Sequence, residues 1–466
     1  GILSCALYGY LLCRCNTSQA IWRGWLFGLG LFGSGASWVY VSIHVYGYAS
    51  VPLAALLTLL FCAGLALLHS LFAWSYARWV RALPGGMLLG FPALWVLFEW
   101  LRSWLLTGFP WLYAGYSHTD TWLNGWAPLG GVLLLSYFTA LAAAVVSQVL
   151  FRGQRGLTVV TAGSLVAVIA LAGYGLQKID WTQATGTELS VVLIQPNVEQ
   201  EDRWSLAEQD GILDRLVAQT EPYWGADLII WPEGAIPALP RQVMDYLLEV
   251  DARAKVNQTA LLTGIPTQDA RNRRYYNSML ALGDSRGQYD KTRLVPFGEY
   301  VPLEGLLRGV NRFFDLPMSS FSLGAADQPL LTAKGQQIAT AICYEIAYPN
   351  LVAKTAATAS IILTVSNDAW FGRSMAPQQH MQMARMRAIE NAKPLVRGTN
   401  NGVTAMVNYR GEVEQQLDQF STAELSGTVK PRTGQTVFTQ LGSWPIVIFA
   451  ALICGGLVIC RRRNKN

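Results

Sequence analysis

Six apolar stretches, each close to the roughly 20 residues that an α-helix needs to cross a bilayer, constrain the fold of this chain more than any other feature. The stretches occupy residues 24–45, 51–75, 86–106, 128–151, 157–176 and 441–460. Only 14% of the 466 residues are charged and 52% are hydrophobic, whereas a soluble domain has roughly 25% charged residues. The sequence therefore predicts a polytopic α-helical membrane domain rather than a single soluble protein.

The charged residues are distributed unevenly and predict a topology. Residues 1–176 contain seven arginines and two acids, residues 441–466 contain four basic residues, and the other 24 basic and 28 acidic residues lie between. Basic residues recur in alternate connections, at Arg14 and Arg23, Arg78 and Arg81, Arg152 and Arg155, and Arg461 to Lys465. If every stretch spans, these connections share one face, which the positive-inside rule makes cytoplasmic. Residues 177–440 are then predicted to lie outside the cytoplasm.

The same distribution excludes two classes of protein. A nucleic-acid-binding domain concentrates basic residues, but here the large middle region has more acids than bases although the whole chain has a net charge of +5. The high apolar content excludes intrinsic disorder. We therefore expect no nucleic-acid partner.

The chain is predicted to have three parts. Residues 1–176 form transmembrane helices, residues 177–440 form one extracytoplasmic domain because no repeat or low-complexity linker divides them, and residues 441–466 form a last transmembrane helix with a basic cytoplasmic tail. Residues 1–13 are apolar but too short to span fully, so we expect the end of a span whose beginning is missing. A helix lying in the membrane interface is the alternative.

The middle region alternates apolar, β-branched runs with amphipathic stretches, which favours an α/β layered domain. The strand-like runs are Leu189–Ile194, Leu228–Trp231, Ala260–Ile265, Ser278–Leu282, Ile338–Ile342, Ile361–Val365 and Val403–Val407. The helix-like stretches are Leu206–Thr220, Arg241–Val256 and Gln378–Ala392.

Polar residues that follow these runs are candidates for a site. Cys343, the one cysteine of residues 177–440, ends a predicted strand; it is either a buried hydrophobe or a nucleophile at the sheet edge where α/β sites form. His380 is its one possible histidine partner in this region, with a polar residue at a helix start as the alternative. Glu233, Lys291 and Glu299 follow or flank apolar runs and, taken singly, are equally compatible with charged residues in solvent.

Together these segments resemble the nitrilase superfamily. The resemblance rests on Trp231-Pro-Glu233, on Lys291 followed by Leu-Val-Pro-Phe-Gly-Glu299, and on Cys343-Tyr-Glu345. It implies an αββα sandwich and a triad of Glu233, Lys291 and Cys343. Four further segments resemble the membrane-embedded lipoprotein N-acyltransferases of that superfamily: Phe32–Ile43, Phe98–Arg102, Thr107–Leu112 and Ser366–Gly372.

The resemblance implies a reaction and its partners. An acyl chain would pass from a phospholipid, with phosphatidylethanolamine as the expected donor, to the α-amine of a diacylated apolipoprotein by a ping-pong mechanism through a thioester on Cys343. No cofactor and no metal are implied. The implied setting is the bacterial inner membrane, with the catalytic domain facing the periplasm, and we expect a monomer. A membrane-tethered amidase that uses water as acceptor, and a transporter or lipid-binding protein without chemistry, are the alternatives.

The resemblance also implies roles for individual residues. Glu233 would be the general base, with a pKa tuned toward neutrality by partial burial, and Lys291 would stabilise the oxyanion and favour the thiolate. Supporting residues are Glu299, which would orient Lys291, and Tyr344 and Glu345 beside the nucleophile. Residues of the substrate pocket are Trp204, Asn277, Trp370 and Phe371, and core packing is the alternative for the aromatic ones.

Three further features remain open. Glu99 and Arg102 lie one helical turn apart in an apolar stretch, where charges are usually paired or functional; a structural pair and contact with a phospholipid headgroup are the two hypotheses. Residues 303–320 are apolar and are predicted to form a mobile lid, with a buried helix-turn as the alternative. Gly234 stands where members of the superfamily more often have a hydroxyl residue, so hydrogen bonding near Glu233 is expected to differ.

Overall fold

The computed structural model describes residues 1–151, 156–269, 271, 273–300 and 321–463. The chain forms two compact units. The first comprises Gly1–Tyr40, Ser50–Asp180 and Thr436–Asn466, and the second comprises Val41–Ala49 and Trp181–Gln435. The predicted lid at 303–320 lies outside the described residues.

The first unit is helical. Its α-helices run over Ile2–Cys13, Thr17–Gly35, Val51–Ser75, Phe91–Arg102, Ala127–Val146, Leu157–Leu176, Val437–Leu441 and Trp444–Arg463. Among the described residues three helices, Val51–Val80, Trp122–Leu150 and Val159–Leu176, are long and apolar enough to cross a membrane, and the bent pair Thr17–Gly35 and Val39–Tyr46 makes a fourth if it is one span. Ile2–Cys13 and Trp444–Ile459 are shorter apolar helices.

The predicted spans correspond to this pattern with three differences. The stretch at 441–460 contains the shorter apolar helix Trp444–Ile459, which is not among the helices long and apolar enough to cross a membrane. The stretch at 86–106 folds as a π-turn over Gly86–Gly90 followed by the helix Phe91–Arg102, and it is not among the helices that pass the length and composition criterion. The stretch at 24–45 starts earlier than predicted, because Asn16 and Gln19 cap each other's main-chain N–H groups and begin a helix at Thr17.

Small residues let the helices Thr17–Gly35 and Val51–Ser75 approach closely. A Cβ atom at Gly24 would lie 2.3 Å from the carbonyl oxygen of His69, and one at Gly28 would lie 2.8 Å from Cα of Ala66. Gly24 and Gly28 are four residues apart, the spacing of small residues at membrane helix interfaces.

The second unit contains two facing β-sheets. Over the described residues, one sheet has six strands in the spatial order Ala423–Val429, Leu189–Gln195, Leu228–Ile230, Ala260–Gln268, Tyr275–Gly283 and Gln288–Asp290. The other has seven in the order Val413–Gln416, Ala405–Val407, Leu395–Thr399, Ile361–Ser366, Gln336–Ile342, Leu331–Ala333 and Ser285–Arg286. A short ribbon pairs Gln183–Ala184 with Arg432–Thr433.

Successive side chains along a strand point alternately to the core between the two sheets and to the helices outside. Val191 and Leu193 join a core with Ile342 and Val365 of the other sheet, whereas Val192 and Ile194 point to the opposite face. The helices Gln209–Thr220 and Met244–Val256 cover that opposite face. The helices Pro349–Ala356 and Ala376–Asn391 cover the outer face of the second sheet. The predicted fold class, helical membrane domain plus αββα sandwich, is confirmed.

The predicted strands and helices of this unit all form, with shifted ends. Parallel pairing sets Leu193 opposite Ile230 and Ile342 opposite Val365. Strands that run parallel end at the same edge of their sheet, so the segments that begin at Trp231 and Cys343 emerge where α/β proteins place their sites.

Candidate active site

Glu233 follows the buried strand Leu228–Ile230 and is 8% exposed. Its Oε1 accepts a hydrogen bond from Asn277 Nδ2 at 2.8 Å and lies 3.3 Å from Lys291 Nζ. Its Oε2 accepts the main-chain N–H of Asn367 at 2.8 Å. The carboxylate is therefore held at both oxygens by groups from three separate strands and their ends.

Lys291 follows the strand Gln288–Asp290 and is only 1% exposed. Its ammonium lies between two carboxylates, 2.9 Å from Glu299 Oε1 and 3.3 Å from Glu233 Oε1. Asn277 Nδ2 also donates to Glu299 Oε1 at 2.9 Å, and Glu299 Oε2 accepts the N–H of Val295 at 2.8 Å. Glu299 thus contacts Lys291 as predicted, and Asn277 joins the two carboxylates.

Cys343 begins a 3₁₀ turn, Cys343–Ala347, directly after the strand Gln336–Ile342. It is partly exposed and has a backbone φ of +53°. This left-handed conformation costs a non-glycine residue roughly 1–2 kcal/mol, so surrounding contacts must hold it. The charges of both Glu233 and Lys291 act on the thiol, so the structure brings the predicted triad together.

Glu345 is fully buried and connects the Lys291 segment with the Cys343 turn. Its Oε1 accepts the N–H of Thr292 at 2.6 Å, the hydroxyl of Thr292 at 2.7 Å and the N–H of Arg293 at 3.2 Å. Its Oε2 accepts the N–H of Ile342 at 2.8 Å, and the Tyr289 hydroxyl lies 3.0 Å from both oxygens. One side chain therefore fixes residues adjacent to both Lys291 and Cys343.

Burial and neighbouring charges set the protonation of the site. Burial would raise the pKa of Glu233, but Lys291 and Arg203 outweigh it and hold that pKa below the ordinary value. Burial raises the pKa of the Cys343 thiol well above its ordinary value; Glu233 adds to this and Lys291 opposes it. Burial alone would lower the pKa of Lys291, but the charges of Glu299 and Glu233 outweigh burial and hold this pKa above its ordinary value. The expected tuning of the Glu233 pKa toward neutrality was wrong, because the positive charges of Lys291 and Arg203 both act on this carboxylate.

His380 contacts the main chain of Cys343. It is 1% exposed and is the fifth residue of the helix Ala376–Asn391, near the helix start. Its Nε2 lies 3.0 Å from the Cys343 carbonyl oxygen, and its Nδ1 lies 3.0 Å from an Arg397 nitrogen and 3.2 Å from Asp368 Oδ1. Burial and Arg397 lower the pKa of His380, while Asp368 raises it. Its Nε2 donates to the Cys343 carbonyl, because a carbonyl oxygen can only accept.

The predicted pocket aromatics are half-buried, and their roles stay predictions. Trp204 lies with its ring centroid 5.6 Å from the Arg203 guanidinium carbon. Trp370 and Phe371 end the 3₁₀ turn Asp368–Phe371. Tyr344 is 8% exposed, with its ring 5.3 Å from that of Tyr348.

Glu99 and Arg102 belong to the first unit and are both buried. Glu99 Oε1 accepts the Trp95 indole N–H at 2.9 Å and the Ala114 N–H at 2.8 Å. Arg102 donates to the Leu112 carbonyl at 3.5 Å, and its guanidinium carbon lies 5.1 and 5.2 Å from the ring centroids of Phe32 and Tyr113. These contacts hold the 112–114 connection against the helix, which favours a structural role.

Sequence reasoning missed four contributing residues. The N–H of Asn367 was not predicted to hold the base, because main-chain donors carry no residue signature. Asp368 and Arg397 were not identified as partners of His380, since their proximity depends on the pairing of the strands Ile361–Ser366 and Leu395–Thr399 and on the helix packed against them. Arg203 was also missed, and the only signal for it was the unusual glycine at 234.

Two families match this chain. Residues 190–437 match the carbon-nitrogen hydrolase family, and residues 1–145 match the N-terminal domain of apolipoprotein N-acyltransferases. The fold, the site and these matches define a class: membrane proteins that carry a catalytic domain of the carbon-nitrogen hydrolase type.

The relatives narrow this class to one family. An apolipoprotein N-acyltransferase from Azotobacter vinelandii is 44% identical over 477 residues, which cover 100% of this chain and 91% of that protein. One from Pseudomonas aeruginosa is 46% identical over 457 residues, which cover 97% and 89%. A crystal structure of a CN-hydrolase superfamily protein from Xanthomonas campestris covers 57% of this chain and 97% of its own, at 17% identity and a TM-score of 0.40. The chain belongs to the apolipoprotein N-acyltransferase family and is an acyltransferase.

Proposed function

We propose that this enzyme moves an acyl chain from a membrane phospholipid to the α-amine of the N-terminal diacylglyceryl-cysteine of an apolipoprotein. The observation that carries the proposal is the pair of buried residues Glu233 and Lys291 acting on the partly exposed Cys343. The chain that holds them matches the N-terminal domain of apolipoprotein N-acyltransferases over residues 1–145 and carbon-nitrogen hydrolases over residues 190–437. The apolar helices support a substrate that resides in a membrane.

In the first half-reaction Glu233 takes the proton of the Cys343 thiol, and the thiolate attacks the ester carbonyl of the phospholipid. The ionised state of Glu233 supports its role as the base, because a carboxylate with a lowered pKa is unprotonated at neutral pH. Negative charge on the carbonyl oxygen would face the Lys291 ammonium and a main-chain N–H beside Cys343. When the tetrahedral intermediate collapses, the lysophospholipid alkoxide leaves with the proton held by Glu233, and Cys343 retains the acyl chain as a thioester.

In the second half-reaction the apolipoprotein amine attacks the thioester carbonyl. Glu233 takes a proton from the attacking nitrogen, an amide bond forms, and the carbon–sulfur bond breaks. The leaving thiolate recovers the proton from Glu233, which restores the starting state. A thioester is suited to this step because a thiolate leaves more readily than an alkoxide.

The surrounding residues would position these three groups. Glu299 orients Lys291 through the 2.9 Å contact, and Asn277 holds Glu233 and Glu299 beside each other by donating to both. Glu345 holds the segments of Lys291 and Cys343 together. Trp204, Trp370 and Phe371 would line the pocket, where half-buried aromatic rings suit an acyl chain, and the buried Tyr344 would support the site beside Cys343.

The setting completes the proposal. Residues 1–176 and 441–466 would lie in the bacterial inner membrane and residues 177–440 on its periplasmic side, as the positive-inside rule predicts from the distribution of basic residues. Phosphatidylethanolamine is the proposed donor and a monomer the proposed working form. Contact of Glu99 and Arg102 with a lipid headgroup remains a hypothesis.

One experiment tests the chemistry. The purified protein is incubated with phosphatidylethanolamine, and intact mass is measured before and after a diacylated lipopeptide is added. We expect an acyl adduct that is lost to the lipopeptide, that is absent in Cys343→Ala, and that persists in Cys62→Ala, whose cysteine is buried in a helix of the first unit. Absence of an adduct would refute the acyltransferase mechanism, and an adduct released only by water would favour the amidase alternative.

A further inference from the structure

Arg203 lies against the segment that carries Glu233. The residue is 7% exposed, and one of its terminal guanidinium nitrogens donates to the main-chain carbonyl oxygen of Glu233 at 2.6 Å. Its guanidinium carbon also lies 5.6 Å from the ring centroid of the neighbouring Trp204. A single side chain therefore joins the segment of Trp204 to the segment of Glu233.

The space for this guanidinium exists because residue 234 is glycine. A Cβ atom at Gly234 would lie 1.9 Å from the terminal nitrogen of Arg203 and 3.0 Å from its guanidinium carbon. Gly234 also has a φ of +54°, a conformation that glycine adopts without strain. Any side chain at 234 would displace the guanidinium, so Gly234 and Arg203 form a matched pair.

The position of Arg203 matters electrostatically as well. Guanidinium groups stay charged in proteins, and a buried charge acts strongly on its neighbours because little water screens it. The groups that face the Glu233 carboxylate are Lys291, Asn277 and the N–H of Asn367. Lys291 is shared with Glu299, so its positive charge is already divided between two carboxylates, and Arg203 supplies a second one.

We infer that Arg203 is a positioning residue of the base: lodged in the space that Gly234 leaves, it holds the main chain of Glu233 and presents a fixed positive charge to its carboxylate. This inference rests on the proposed function only in taking Glu233 as the base that removes the Cys343 proton. Burial lowers the pKa of Arg203, while Glu233 and Cys343 raise it, so its charge acts on both groups.

The test follows the rate of Cys343 alkylation by iodoacetamide against pH, in the detergent-solubilised full chain, by mass spectrometry of the Cys343 peptide. Alkylation through Glu233 requires the ionised carboxylate, so the rate falls on the acid side as Glu233 is protonated. The acid limb is the pH range over which the alkylation rate falls as Glu233 is protonated. Loss of one buried cation in Arg203→Gln should move the midpoint of this limb upward by about one pH unit. Arg203→Lys should keep the limb within about 0.3 unit of the native position, since its charge can stay near the carboxylate.

Gly234→Ala is the second test variant, because it displaces the Arg203 guanidinium without removing any charged group. We expect it to reproduce the Arg203→Gln shift, and the double variant to shift no further than either single one, because the same guanidinium is displaced or absent in each. Arg215→Gln is the matched control: Arg215 is exposed and donates to the Pro196 carbonyl at 3.3 Å, and its loss should leave the limb in place.

Two results would overturn the inference. One is an unshifted acid limb in Arg203→Gln, even if stability or the maximal rate falls, because a merely structural arginine would behave so. The other is full additivity of the two single shifts. If Gly234→Ala fails to fold, the comparison of Arg203→Gln with Arg203→Lys still shows whether the charge at position 203 sets the position of the acid limb. The alkylation experiment uses iodoacetamide and no phospholipid. Its result is therefore independent of whether an acyl adduct forms, so failure of the proposed function and failure of this inference can be told apart.

Discussion

Replacement of Glu345 by Gln tests whether one buried carboxylate aligns Lys291 with Cys343. Glutamine has the same shape but only one acceptor oxygen. If that oxygen faces the N–H groups of Thr292 and Arg293, which lie 2.6 and 3.2 Å from Glu345 Oε1, the amide NH₂ must face the N–H of Ile342. Replacement by Ala would instead leave all three buried N–H groups without this acceptor and is expected to prevent folding.

The structure gives the expected size of the effect. The hydrogen bond from Ile342, 2.8 Å long in the native protein, becomes a donor facing a donor, and a buried N–H left without an acceptor costs about 1–3 kcal/mol. For a unit of this size the midpoint of thermal unfolding should fall by about 2–4 °C per kcal/mol. Ile342 directly precedes the left-handed Cys343, so the alkylation rate of that thiol should fall about tenfold, equivalent to about 1.4 kcal/mol.

The assay pairs thermal unfolding with alkylation of Cys343 by iodoacetamide at fixed pH. Glu424→Gln is the matched control, because Glu424 Oε1 accepts a hydrogen bond from Gln219 at 2.7 Å on the strand Ala423–Val429. It should change neither quantity appreciably. A loss of stability in Glu345→Gln without slower alkylation would show that Glu345 only stabilises the fold, and unchanged values of both would refute the reasoning.

Three further predictions concern the same site. His380→Gln should retain most of the Cys343 alkylation rate, because its amide N–H can still reach the Cys343 carbonyl, whereas His380→Ala should lower it about tenfold; equal losses would contradict the positioning role. Alkylation of the native protein should keep rising above about pH 9, because burial raises the thiol pKa, and a rate that levels off below that pH, as for an ordinary thiol, would contradict it. Burial raises the pKa of Asp368, but Arg397 and His380 lower it below the ordinary value, so its stabilisation is present above about pH 4 and is lost as the pH falls through the lowered pKa. The midpoint of thermal unfolding of Asp368→Asn should therefore lie below that of the native protein at pH 7, and the difference should shrink toward pH 3. A difference that stays constant with pH would contradict stabilisation by the ionised carboxylate.

Much of the fold could be predicted because it depends on local patterns. Runs such as Leu189–Ile194 predict strands since apolar side chains facing two layers leave no polar alternation, and Pro232 ends its strand because proline cannot donate to the sheet. Helix ends were less predictable. The helix that begins at Thr17 depends on reciprocal hydrogen bonds of Asn16 and Gln19, which hydropathy does not register.

The residues of the site were predictable as types but their environment was not. Glu233, Lys291 and Cys343 are separated by 58 and 52 positions along the chain, and the motifs indicate which residues meet. The protonation of Glu233 depends on how many cations face it, and Arg203 was not among the expected ones. The tertiary structure reversed the expected direction of the Glu233 pKa shift for that reason.

The sequence by itself determined the apolar helices, the layered α/β domain and the identity of the three residues proposed to react, since these follow from hydropathy, periodicity and motif. Only the tertiary structure decided how those residues are held. The Glu345 bridge to Thr292, the His380 contact with Cys343 and the Arg203 guanidinium above Gly234 all join groups distant in sequence, and they surround the left-handed turn at Cys343. Hydrogen bonds and buried charges act over a few ångströms, so their partners exist only once the sheets have packed.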